Sequence, residues 1–392
     1  MTRIPVVLCV VMLTSCWSAP GPSSLPAGVP PRAGPQTGAG SHFSLLFSFD
    51  GRDGKEPDAS LIAVGGSLYG TTYGGGEHES GTAFEIATSG GQTVLHSFKG
   101  ASDGALPVAS LLDVSGTLYG TTVNGGGSGD EGTVFKISPS RVESVIYRFK
   151  AGRDGANPYA GLVDVGGKLY GTTAGGGRHS QGTVYAVSSA GIETVLHSFG
   201  ARLGDGTNPR ASLTNVGGTL YGTTAFGGAY CGSLGCGTVF KIATSGAEKP
   251  VYSFGGGKDG TMPASALVRV SGSLYGTTAT GGRYNRGTVF RITTSGSETV
   301  LHSFKGGHDG AFPGGLTVAN GVLYGVTTEG GSGGAGTIFK VTTTGQETVL
   351  HAFGVTEGAR PEGGLRNVGV TLYGTTAAGG AGGFGTVFSI TP

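Results

Sequence analysis

The stretch GSLYGTTYGGGEHESGTAFEI, residues 66–86, decides how the rest of the chain is read. Two short runs rich in β-branched and aromatic residues flank a polar loop that opens on glycines, which is the pattern of two strands and their connection. Both halves recur. Leu-Tyr-Gly returns with its tyrosine at Tyr69, Tyr119, Tyr170, Tyr221, Tyr275, Tyr324 and Tyr373, at spacings of 49 to 54 residues. Gly-Thr-(Val/Ala/Ile)-(Phe/Tyr) follows each one, ending at Phe84, Phe135, Tyr185, Phe240, Phe290, Phe339 and Phe388. A third element, an apolar run closing on phenylalanine, ends at Phe49, Phe98, Phe149, Phe199, Phe254, Phe304 and Phe353. Each signature occurs seven times.

Working outward, one unit contains four short strands. In the first unit these are a, Leu61–Val64; b, Ser67–Thr72; c, Gly81–Ile86; and d, Thr93–Phe98. Gly65-Gly66 suits a two-residue hairpin between a and b. Four antiparallel strands repeated every fifty residues or so describe propeller blades. The order of the ends implies closure: a d-type strand, 44–49, comes first and a c-type strand, 385–390, comes last. The N-terminal strand therefore completes blade seven and removes its open edge. The expected fold is all-β, a seven-bladed β-propeller with four antiparallel strands per blade over residues 43–392. Blade seven is 359–392 plus strand 43–49.

Composition fits this and excludes other classes. Glycine supplies 82 of 392 residues, charged residues only 12%, and the net charge is +1. A coiled coil, a helical bundle and a basic nucleic-acid binder are excluded, and collagen fails because glycine is not every third residue. The glycines are read as blade corners: the a–b hairpin, the Leu-Tyr-Gly step, the Gly-Gly opening each b–c loop, and an Asp-Gly turn.

Gly-x-Leu-Tyr-Gly-Thr-Thr, then Gly-Gly, then Gly-Thr-Val-Phe-Lys resembles the GloVer tandem-repeat family of exported bacterial proteins. The resemblance covers about residues 43–392, departs at Val326 where other copies carry threonine, and implies a propeller with varied surface anchors and no established activity. The kelch and WD-repeat signatures are absent.

Residues 1–15 carry Arg3 and the apolar run Ile4–Leu13, too short to span a bilayer, and read as a signal peptide. Leu13-Thr14-Ser15-Cys16 resembles a bacterial lipobox, which implies lipidation at Cys16. Residues 16–42, rich in Pro, Gly and Ser, read as a disordered tether. The expected location is the bacterial cell envelope, exported and lipid-anchored at the outer membrane or cell surface, touching the membrane through the anchor only. A monomer is expected, with no nucleic-acid partner.

Scaffold is separated from site by asking what repeats. The acidic-Gly-x-x-Pro motif at Asp53, Asp103, Asp154, Asp205, Asp259, Asp309 and Glu357 reads as a turn in which the acid bonds its own backbone. His96, His197, His302 and His351 share a column with Phe47, Tyr147 and Tyr252 and read as packing rather than metal ligands; no metal or cofactor is expected. Seven aromatics outside the repeat columns lie in b–c or d–a connections, on one face of the ring: Tyr73, Tyr159, Phe226, Tyr230, Tyr284, Phe312 and Phe384. With Glu77, Glu79, Asp130, Arg178 and Arg283 they form the candidate ligand-binding set, since rings mixed with forked donors and carboxylates suit a sugar or a peptide. Cys231 and Cys236, in the longest b–c loop, read as a disulfide stiffening the Phe226–Tyr230 segment.

No nucleophile elbow, phosphate loop or His-Glu-x-x-His is present. No catalytic residue is assigned. The preferred reading is a non-enzymatic envelope-anchored module binding a glycan or protein at the loop-rich face. The alternative is a carbohydrate-active hydrolase or lyase using Glu77, Glu79, Asp130 and Glu131, with Asp113 and Asp164 near Arg269 as candidates in the inner strands.

Overall fold

The computed structural model describes residues 40–392, and the expected signal peptide, Cys16 and most of the tether lie outside them. Seven four-stranded antiparallel sheets follow one another, with one small extra ladder, Gly206–Thr207 with Phe226–Gly227. The only helix among the described residues is a 3-10 turn at Gly307–Asp309. Blade 1 consists of strands a, Ile62–Val64; b, Ser67–Thr72; c, Thr82–Ala87; and d, Gln92–Ser97. Blade 7 takes a, b and c from Arg366–Val368, Thr371–Thr376 and Thr386–Thr391, and its d strand is His42–Ser48. Closure pairs His42 with Thr391 and Ser48 with Thr386. In five of the seven neighbouring blade pairs the inner a strands touch one another.

Each signature has a distinct job in this ring. The phenylalanine ending each d strand packs edge-on against the c-strand ring of the next blade, from Phe98–Phe135 at 4.9 Å to Phe49–Phe84 at 5.2 Å between centroids. Seven apolar clusters result, one for each blade–blade contact, including the contact between blades 7 and 1. Such pairs contribute about 0.5–1.5 kcal/mol beyond the area they bury.

The two threonines of Gly-Thr-Thr are buried for different reasons. Thr72 Oγ1 meets Thr82 Oγ1 at 2.9 Å, donates to the Gly74 carbonyl and accepts the Thr82 amide, and the paired threonine hydroxyls recur in every blade. Valine has the same shape but no hydroxyl, so it would leave these buried groups unpaired. Thr71, one residue earlier, reaches across to blade 2 and donates to the Ala109 carbonyl at 3.1 Å. Thr375 does the same from blade 7 to Ala59 of blade 1, at 3.0 Å, so the ring closes on itself at its inner edge as well. Val326 lacks this bond between blades 6 and 7.

The Leu-Tyr-Gly glycine is not a corner, which corrects the sequence reading. Gly120 lies inside a straight strand with ordinary φ, and a Cβ there would sit 2.4 Å from Phe135 Cζ and 2.9 Å from Leu111 Cδ2. The residue must be glycine because the core ring lies directly over its backbone. The a–b hairpins do use positive φ: Gly65 and Gly66 are at +58° and +91°, the primed turn that matches strand twist.

Candidate functional site

The d–a and b–c loops share one face, as the repeats imply. Lys55 bridges Gly74, Ala105 bridges Asn124, and Ala156 bridges Gly175, each linking a d–a loop to the following b–c loop. Expected site residues fall on this face in two groups.

The first group is peripheral and mostly exposed. Tyr230 is 57% exposed, Tyr284 41% and Phe384 39%, while Phe226 and Phe312 are half-buried. Arg283 lies over the Tyr284 ring at 5.5 Å and Arg286 over Phe312 at the same distance, so the rings already carry cations. Arg178 and Glu77 are exposed. Glu79 is engaged by Lys55 Nζ at 2.5 Å, and Asp130 Oδ1 accepts the Gly125 amide at 2.6 Å, holding its own loop. Both acids thus already have a partner on this face. In the inner strands Asp113 and Asp164 accept the Gly116 and Gly167 amides, both at 3.0 Å, so they brace the a–b hairpins instead of lining a reactive surface with Arg269.

The second group is central. The residue after each repeat proline leads into an innermost strand, and it varies around the ring: Asp58, Val108, Tyr159, Arg210, Ala264, Gly314 and Glu362. Four of these carry polar chemistry, and they interact in two pairs, Asp58 with Glu362 and Tyr159 with Arg210. Burial, followed by the charges of Glu362 and Glu56, pushes the Asp58 carboxyl well above its usual range, and Asp58 Oδ1 has no hydrogen-bond partner. Glu362, its side chain 12% exposed, is also raised by burial although Arg360 donates to its Oε1 at 2.7 Å. Tyr73, 37% exposed, is raised by burial and then by Tyr159. Arg210 lies over the Tyr159 ring at 4.6 Å, donates to Asn208 Oδ1 at 2.7 Å, and is lowered by burial.

Sequence reading named Tyr73 and Tyr159 as candidates and did not name Asp58, Glu362, Arg360 or Arg210. The available signal was the position after the repeat proline, the one place where a rigid sevenfold motif changes chemistry from blade to blade. The arrangement links two tyrosine rings, two reluctantly ionised carboxyls and two guanidinium groups at the entry to the innermost strands. Such a set can stack on a ring and hold hydroxyls at fixed points.

The histidine column is richer than packing alone. His96, His197 and His302 do pack edge-on against Phe98, Phe199 and Phe304, at 4.7 to 4.8 Å. Each also faces the acidic turn of its own blade and a glutamate from the next blade: Asp103 and Glu143, Asp205 and Glu248, Asp309 and Glu347. The acids brace the turn as expected, since Asp103 Oδ1 accepts the Lys99 amide at 2.8 Å. The outer glutamates, some forty residues away in sequence, were missed because only the fold brings them in.

Cys231 and Cys236 form a disulfide with Cα atoms 5.6 Å apart. Its two sulfurs rest over Gly256 of the next d–a loop, where a Cβ would come within 2.6 Å of both. A disulfide in a repeat chain of this kind fits an exported protein. Among the described residues no helix is long and apolar enough to cross a membrane.

Comparison with known proteins follows the repeat. The sequence matches the Gloeobacter/Verrucomicrobia repeat in three overlapping spans, residues 35–233, 126–320 and 229–392. No curated protein matches the sequence at a significant level. Among solved structures, the chain is similar to a candidate 6-phosphogluconolactonase from Bacteroides uniformis, with TM-score 0.51, 12% identity, and coverage of 76% of this chain and 85% of that one. It is similar to a puromycin-hydrolyzing peptidase of Mycobacterium tuberculosis, with TM-score 0.52, 12% identity, and coverage of 83% of this chain and 50% of that one. The computationally designed protein Ika8 has TM-score 0.49 and 14% identity, covering 88% of this chain and 98% of that one. At these identities the likeness is one of fold.

Proposed function

The chain belongs to the Gloeobacter/Verrucomicrobia repeat family, and we propose that it is a non-enzymatic, envelope-anchored propeller that binds an oligosaccharide at the middle of its loop-rich face. The observation that carries this reading is the chain of interactions that links Tyr73 to Tyr159 and Asp58, Asp58 to Glu362, and Arg210 to the Tyr159 ring. A sugar presents an apolar C–H face for a tyrosine ring and hydroxyls for carboxyls and guanidinium groups, and this set supplies all three. The peripheral rings, from Tyr230 round to Phe384, extend the surface along which a longer chain would run. Cys16 would carry the lipid, and residues 16–42 would hold the ring off the membrane.

A second reading is favoured by one observation. Both Asp58 and Glu362 resist ionisation, the condition a general acid needs in a glycoside hydrolase or lyase. A glycan array probed with the full chain, followed by product analysis on each hit, tests both. Binding that is lost on Tyr159→Ala, with every bound oligosaccharide recovered intact, supports the first reading. Shortened products that vanish with Asp58→Asn would replace it with the second. An array without a hit would overturn both.

A further inference from the structure

The seven blade–blade contacts carry the same three outer positions, and their occupants sort them. The first is the d-strand ring position, the second the acidic turn, the third the start of the next blade's d strand. Between blades 2 and 3 a tyrosine fills the first position, and Tyr147 donates to Asp154 Oδ1 at 2.8 Å beside Glu193. Between blades 4 and 5, Tyr252 donates to Asp259 Oδ2 at 2.9 Å beside Glu298. Between blades 6 and 7 the third acid is replaced by Phe43, which stacks on His351 at 3.9 Å. Between blades 7 and 1 the ring is Phe47 and the third residue is Gln92. Three contacts keep His, Asp and Glu together.

The contact between blades 3 and 4 differs from its two counterparts. Between blades 1 and 2, His96 Nε2 lies 3.0 Å from Asp103 Oδ2, and between blades 5 and 6, His302 Nε2 lies 3.1 Å from Asp309 Oδ1, so each histidine is hydrogen-bonded. Between blades 3 and 4 the corresponding His197 Nε2–Asp205 Oδ1 separation is 3.5 Å and His197 Nε2–Glu248 Oε2 is 3.8 Å. Neither is a hydrogen bond. His197 Nε2, Asp205 Oδ1 and both Glu248 oxygens have no hydrogen-bond partner, although the Asp205 and Glu248 side chains are only 1% and 2% exposed. Arg202 approaches Glu248 Oε2 at 3.6 Å, but its side chain is 62% exposed and free to turn to water.

We propose that His197, Asp205 and Glu248 form a divalent-cation site of the zinc class, joining blades 3 and 4. Asp205 Oδ2 accepts the Ala201 amide at 3.0 Å, but Asp205 Oδ1 and both Glu248 oxygens are buried without a donor, which is costly, and a bound cation is the direct compensation. The spacing agrees. Ligands bonded at about 2.0–2.2 Å in a tetrahedron stand roughly 3.3–3.6 Å apart, beyond hydrogen-bond reach and close to the separations here. One imidazole nitrogen and two carboxylate oxygens, all within 4.8 Å of one another, leave a fourth position for water. Imidazole with carboxylate suits zinc and its first-row neighbours better than calcium or magnesium.

The ring's own variation supplies matched substitutions. His197→Tyr installs the occupant found at Tyr147 and Tyr252, and Glu248→Gln the one found at Gln92, so both should fold, which circular dichroism checks. Equilibrium dialysis of the full chain against micromolar zinc chloride, followed by elemental analysis, reads the site. The wild type is expected to hold one more zinc per chain than His197→Tyr or Glu248→Gln, while Glu193→Gln, at a tyrosine contact, holds as much as the wild type. A wild type that retains no zinc overturns the proposal. Equal zinc in the wild type and both site variants, or an equal loss in Glu193→Gln, overturns it too.

Discussion

Replacing Glu193 by glutamine should stabilise the ring at pH 8 and do so far less at pH 5. Glu193 starts the outer strand of blade 3, with Glu193 Oε1 buried and unpartnered. Desolvation first, then the Asp154 carboxylate whose Oδ1 already takes the Tyr147 hydroxyl, pushes its carboxyl up from 4.5 to about 7, against a smaller opposing pull from Lys150. The Tyr185 hydroxyl nearby is itself raised by burial and offers no charge to offset. A carboxyl whose folded pKa is raised keeps its proton in the native state at pH values where the unfolded chain has lost it. Stability therefore falls as pH rises from about 4.5 towards 7. The rise from 4.5 to about 7 sets a ceiling of about 3 kcal/mol at 1.36 kcal/mol per pKa unit. The group is partly open to water, and screening reduces this to roughly 1–2 kcal/mol. Glutamine has the shape of the protonated acid and no charge to lose. Thermal melts in chelator should show Glu193→Gln about 2 °C above the wild type at pH 8, given about 2.1 cal/mol/K of unfolding entropy per residue. At pH 5 the difference should shrink to about a quarter of its pH 8 value. A variant that is destabilised equally at both pH values would refute the reasoning, because it would show that Glu193 serves the fold as a charged partner.

Other outcomes follow from the same geometry. The wild type itself should lose stability between pH 5 and 8, because Glu143, Glu298 and Glu347 are also pushed to about 7 and Glu248 to about 6; a flat profile in thermal melts would contradict this. Gly120→Ala should cost about 2–3 kcal/mol by forcing the Phe135 ring aside, while Gly91→Ala, with nothing within 4 Å, should be near neutral in urea unfolding. Thr375→Val should cost about 1–2 kcal/mol by leaving the Ala59 carbonyl unpaired at the ring closure, read from the same unfolding curves. Opening the Cys231–Cys236 loop by Cys→Ser at both positions should cost at most about 2 kcal/mol, and free thiols in the native protein would contradict the bond.

The architecture was legible because seven repetitions of a short signature leave few alternatives. Phe98 and Phe135 lie in different blades, yet their identical placement in every unit already marked them as the ring's packing surface. The order of strand types at the two ends fixed the closure, and the structure adds Thr375 as its inner bond. The glycine of Leu-Tyr-Gly was misread, since a glycine required by a neighbouring ring looks the same in sequence as one required by a turn. Site chemistry was less legible for a related reason. Tyr73 and Tyr159 stood out as exceptions to the repeat, but Asp58 and Glu362 follow the repeat proline and were absorbed into a turn motif. The His197–Asp205–Glu248 meeting joins three columns that look separately structural, and only the lateral stacking of blades puts them in one place.

The central claim is that ligand enters at the middle of the loop-rich face. Hydroxyl-radical footprinting of the full chain, with and without the tightest oligosaccharide found on the array, measures this residue by residue. Protection of Tyr73 and Tyr159, with the exposed Ile192 and Val142 in the c–d turns unchanged, is the predicted result. Protection confined to Tyr230 or Tyr284, with Tyr73 and Tyr159 as reactive as before, would contradict it.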